Sequence, residues 1–156
     1  MQPGFMCLES GLTRTKNSVN VAIKNLIDLG ISIVLFRAVG YGIAFGSARL
    51  GIFGSDRHFF YPEYFSGAEM IFFLFQMMFC STATTIVSGA SAERLKFRAY
   101  AIITVIISGA IYPVFAHWAW NSQGFAAGEG YLEQLGFIEL AGATVVHGVG
   151  GWFAMA

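Results

Sequence analysis

His147 stands inside "IELAGATVVHGVGGWFAMA", residues 138–156, where Glu139 is the only other ionisable side chain. An imidazole in so apolar a run is either a neutral ring bonded to a neighbouring helix or a group that meets a substrate or a proton. Ionisable residues at membrane depth default to the second reading. A helix starting near Glu139 puts His147 eight residues on, about 12 Å along the axis and close to mid-bilayer. Metal chemistry gets little support. His58, His117 and His147 fall in different segments, with no histidine or cysteine partner at helical spacing. Nucleotide loops and nucleophile elbows are absent from the sequence, and no two carboxylates are disposed for acid–base work, so neither an enzyme nor a cofactor is expected.

Other candidates are aromatic or isolated charges. In "FFLFQMMF", residues 72–79, Phe75 and Phe79 share one helix face and Gln76 is the sole amide. That spacing reads first as packing, and a gate is the alternative. Trp118 and Trp120 in "AHWAWNSQG" suit an interfacial belt, or a cation held on an indole face by about 0.5–2 kcal/mol. Arg37 is expected to be structural, snorkelling to headgroups or pairing with Glu69.

The elements that must position these residues are membrane helices. Among the 156 residues 56% are hydrophobic and 12% charged, against about 25% charged in soluble domains; mean hydropathy is +0.63. Apolar runs at 19–46, 67–90 and 99–118 are long enough to cross a bilayer. A partial helix precedes them in "MQPGFMCLESGL" and another begins near Glu139, so the chain is expected to be a fragment cut within a helix at both ends, with Met1 an internal methionine. Residues 47–66 and 121–137 read as interfacial loops. Arg14, Lys16 and Lys24, then Arg94, Lys96 and Arg98, flank two turns that the positive-inside rule makes cytoplasmic. Small residues in "STATTIVSGASA", 81–92, predict a face for close helix packing. Cys7 and Cys80 are expected to be free, buried thiols. Zero net charge gives no argument for a nucleic-acid partner.

Taken in order, "MQPGFMCLESGLTRTKNSVN", "FLFQMMF", "IVSGASAERLKF", "IYPVFAHWAW" and "LAGATVVHGVGG" resemble the ammonium transporters of the Amt/Rh class over essentially the whole chain. The resemblance implies an all-α integral membrane fold of eleven helices in two inverted halves, a homotrimer with one pore per subunit, and residues 1–156 as a partial domain running from late in the first helix into the fifth. It implies an ammonium recruitment site at Trp120, Phe79 and Glu139, a pore gate at Phe79 with Phe75 and Gln76, a pore histidine at His147, a plasma-membrane location and a PII-type regulator. Glu139 stands where the family pattern has an aspartate, which puts transport competence in question at that position and keeps two alternatives: an ammonium sensor fused to a kinase or cyclase domain, and an Rh-like neutral ammonia channel.

Overall fold

The computed structural model describes residues 1–49, 52–59, 63, 65–126 and 128–156. Its helices are α1 (Gln2–Leu12), α2 (Thr15–Phe45), α3 (Gly67–Ala90), α4 (Phe97–Gln123), α5 (Tyr131–Gln134) and α6 (residues 143–155). One antiparallel pairing joins β1 (Ala48–Arg49) to β2 (Phe53–Gly54) in the 47–66 loop, part of which lies outside the described residues. α2, α3 and α4 are each long and apolar enough to cross a membrane. The chain is a partial helical bundle of an integral membrane protein.

Local chemistry sets the helix ends. Pro3 fits the first turn of α1, where its absent N–H costs nothing. The Ser66 hydroxyl caps α3 by accepting the Glu69 N–H at 3.2 Å. α4 extends past both ends of its hydrophobic run, and at residues 107–111 it widens into a π turn just before Pro113. The wider turn absorbs the ring and the absent N–H that would otherwise break the helix. α2 has a similar turn at Phe36–Gly40, packed against that of α4. Gly40 permits the approach: a Cβ there would stand 2.7 Å from Phe36 Cδ2 and 3.3 Å from Pro113 Cγ.

The core lies where α2, α3, α4 and α6 meet, around Phe36, Tyr41, Phe73, Tyr112 and Val145. The small-residue face of α3 packs inward as its sequence predicts, with Ser81 to Thr85 and Ser88 buried. α6 sits on it so closely that a Cβ on Gly150 would come within 2.7 Å of the Ala83 carbonyl oxygen. Two expectations are corrected. Cys7 is exposed on the outer face of α1, while Cys80 is buried and donates its thiol hydrogen to the Ser108 carbonyl at 3.9 Å. Glu69, on α3, pairs with Arg57 of the loop and accepts from the Tyr41 hydroxyl at 3.2 Å, so its cation is Arg57 and not Arg37.

Candidate functional site at the outer end of the bundle

α4 delivers Trp120 to the end of the bundle that the positive-inside rule makes outer, where it is 2% exposed and its indole N–H donates to the Glu139 backbone carbonyl at 2.8 Å. Trp118 differs. Its N–H donates to Ile52 O at 2.8 Å on the surface side, with the ring near Tyr131, which suits an interfacial anchor. Trp120 is instead fixed by the segment that enters α6, and its buried ring meets Phe79 at a centroid distance of 5.9 Å. Phe79 in turn meets Phe75 edge-on, at 4.6 Å and 71°. Trp120, Phe79 and Phe75 therefore form one train of rings from α4 onto α3, in which Phe75, 56% exposed, lies one helical turn nearer the N-terminus of α3 than Phe79. Gln76 is buried on another side of α3, where its Oε1 accepts from the Tyr112 hydroxyl at 3.5 Å.

Glu139 explains how α6 begins. The helix starts at Ala143, four residues later than the sequence suggests, because the Glu139 side chain caps it from outside. Its Oε1 accepts the N–H groups of Ala141, Gly142 and Ala143 at 3.1, 2.9 and 3.2 Å, while Oε2 accepts those of Thr144 and Val145. These are the amides that a helix N-terminus leaves without partners, and the carboxylate also faces the positive end of the helix dipole. Burial pushes the Glu139 carboxyl up, but the bonds from Thr144, Gly142 and Val145 outweigh it and hold it below its ordinary range. Its carboxylate oxygens serve the backbone at the entry to α6, while its own backbone carbonyl holds Trp120.

Gly142 makes the turn possible at φ +80°, where a side chain is strained, and a Cβ there would lie 2.8 Å from Val146 Cγ2 and 3.5 Å from Trp120 Cη2. Its carbonyl accepts three bonds: Val146 N–H at 3.0 Å, His147 N–H at 2.9 Å and the His147 ring at Nδ1, 3.1 Å. A carbonyl only accepts, so Nδ1 carries the hydrogen in this bond, and Nε2 makes no bond with the described residues. His147 is exposed, and the structure does not bring its ring into the aromatic train. Among the described residues no three His, Cys, Asp or Glu side chains group to hold a metal.

Sequence reasoning missed a second polar region. Gln2 and Glu9 of α1, Lys24, Asn25 and Asp28 of α2, Ser81, Thr85 and Ser88 of α3 and Tyr100 of α4 are buried together. Gln2 Nε2 donates to Asp28 Oδ1 at 2.9 Å and reaches the Ser81 and Thr85 hydroxyls at 2.6 Å each; Thr85 and Tyr100 donate to Asp28 Oδ2. The signal was present: the rule that singled out His147 applies equally to Asp28 in an apolar run.

The model of the Ammonium Transporter Family matches residues 1–156. The chain belongs to the ammonium transporter family. Over 163 residues it is 55% identical to a Synechocystis sp. protein named as a candidate ammonium transporter, covering 100% of this chain and 29% of that protein. The ammonium transporter Amt2 of Archaeoglobus fulgidus is 38% identical over 160 residues, 100% of this chain and 34% of the relative. A solved structure titled Sensor Amt Protein superposes with a TM-score of 0.90 at 45% identity, over 99% of this chain and 38% of the other. The chain thus spans about a third of the length of the relatives it matches. This is a family of transporters and not of enzymes.

Proposed function

We propose that the complete protein conducts ammonium across the plasma membrane, with Trp120 recruiting the cation outside, Phe79 gating the path below it and Phe75 flanking that gate. The observation that carries this reading is the Trp120–Phe79–Phe75 train, fixed at its outer end by the bond from Trp120 to the Glu139 carbonyl. An indole face attracts a cation through its quadrupole. Passing an intact cation through the apolar gate carries a large desolvation cost, so ammonium gives up its proton, neutral ammonia passes, and the proton crosses separately by way of His147, which keeps the net inward charge movement. His147 then presents Nε2 as an acceptor for an ammonia N–H or a proton. Gln76 acts beside the gate through Tyr112 rather than in the path.

The glutamate at 139 is compatible with this function, because the longer side chain still reaches five amides of the α6 entry. A homotrimer, and a PII-type regulator at the cytoplasmic turns, belong to the same reading. The test is ammonium-evoked current from the full-length protein in a supported bilayer. Trp120→Ala is expected to raise the half-saturating concentration, and His147→Ala to abolish the current or alter its selectivity. Unchanged current and selectivity in His147→Ala would sink that residue's role.

One observation favours a second reading, in which the scaffold senses ammonium for a downstream signalling domain: the 0.90 superposition on a protein titled as a sensor. Saturable ammonium binding without current selects it, whereas ammonia uptake without charge movement selects the neutral channel.

A further inference from the structure

Two amides of the inner polar region are held by one end only. Gln2 Nε2 donates to Asp28 Oδ1 at 2.9 Å and reaches the Ser81 and Thr85 hydroxyls at 2.6 Å each. Asn25 Nδ2 donates to Glu9 Oε2 at 2.7 Å and to the Val21 carbonyl at 3.1 Å. These carboxylates fix which way each amide points, because turning either one would set its oxygen against a carboxylate oxygen. The carbonyl ends must therefore face elsewhere. Gln2 is 4% exposed and Asn25 1%, yet Gln2 Oε1 and Asn25 Oδ1 have no hydrogen-bond partner among the described residues.

Both residues line one small cavity between α1 and α2, whose other walls are Pro3, Met6, Leu26 and Leu29. Its volume is about 40 Å³, where a water needs about 10–15 Å³. The four apolar side chains bring no donor, and the neighbouring Lys24 gives its Nζ to the Leu95 carbonyl at 2.8 Å. Two buried carbonyls without donors are costly, and donation at the N–H end of each amide polarises the oxygen further. A cation is a poor occupant, since it would exchange its hydration shell for two carbonyls and four apolar walls. A small neutral molecule with two donors fits both the room and the chemistry.

We propose that this cavity binds one water molecule, which donates one hydrogen to Gln2 Oε1 and the other to Asn25 Oδ1. The water closes a chain of hydrogen bonds from Glu9 through Asn25 and Gln2 to Asp28 and Tyr100. It makes the Glu9 and Asp28 clusters a single network and pins α1 to α2.

The test is a crystal structure of the full-length protein at a resolution that shows ordered water, for wild type and for Leu29→Phe. Wild type is expected to carry one water peak about 2.7–3.2 Å from both carbonyl oxygens. In wild-type crystals pressurised with xenon, which enters dry apolar cavities, the cavity should take up none. Leu29→Phe puts an apolar ring into the cavity, so the water peak is lost and the unfolding midpoint falls as two carbonyls lose their donors. In a dry cavity the same ring would fill a void and raise the midpoint. Where Leu29→Phe does not fold, the wild-type map and the xenon experiment decide. Xenon in the cavity, a map without a water peak at the two carbonyls, a side chain from another part of the protein bonded to them, or a higher midpoint in Leu29→Phe overturns the site. None of these readouts involves transport, so the site stands or falls independently of the proposed function.

Discussion

The two ends of the bundle hold their carboxylates in opposite ways. At the outer end Glu139 is held by its own chain, since the five amides it accepts belong to residues 141–145. At the inner junction Asp28 is held by side chains of three other helices, supplied by Gln2, Thr85 and Tyr100. A carboxylate held by local backbone fixes a helix start and whatever leans on it. One held by distant side chains fixes how helices sit against one another. The outer arrangement fixes the turn on which Trp120 rests, and the inner one makes the scaffold depend on a buried carboxyl.

Breaking the inner junction is expected to have the largest effect. Asp28→Leu strands the Tyr100, Thr85 and Gln2 donors in an apolar interior and should cost about 3 kcal/mol, seen as a lower midpoint in thermal unfolding of the protein in micelles. Retention of wild-type stability would show that the donors find other partners. Glu139→Gln is gentler, because an amide oxygen still accepts while its NH2 opposes the helix amides. A loss of about 1–2 kcal/mol is expected, together with a weaker ammonium response. Trp120 should keep its indole fluorescence in that variant, since its bond goes to the Glu139 backbone; a large spectral shift would contradict a purely local role for the side chain.

Trp118→Phe sharpens the contrast between the two tryptophans. It removes the bond to Ile52 O, costs about 1 kcal/mol and should leave the half-saturating ammonium concentration unchanged. Smallest is Glu93→Gln at the exposed turn. Side-chain bonds from Arg14 and then Asn17 bring the Glu93 carboxyl down from 4.5 to about 2. A carboxyl lowered on folding stabilises fully above its unfolded value, and the contribution fades as pH falls towards its folded value. Wild type and Glu93→Gln should therefore differ slightly at neutral pH and converge between pH 4.5 and 2, measured by unfolding midpoint against pH.

Much of this was legible in the sequence. Hydropathy and length gave the spans because a bilayer demands about 20 apolar residues whatever the tertiary contacts, and the small-residue run 81–92 announced a packed face. Motif order identified the family. The start of α6 was misjudged because hydrophobic periodicity cannot tell a residue inside a helix from one that caps it; Gly142 was the available signal.

What only the tertiary structure decided is where each polar group finds its partner. The sequence marks Glu9, Asn25, Asp28, Ser88 and Tyr100 as unusual for a membrane segment, since the cost of burying a charge or an amide depends on residue type and depth alone. Which oxygen is served and which is left bare depends on contacts between residues 16 to 83 positions apart. That is why two tryptophans two residues apart separate into one bonded to the loop and one bonded to the α6 entry, and why Glu9 takes both of its bonds on one oxygen only once the helices are packed.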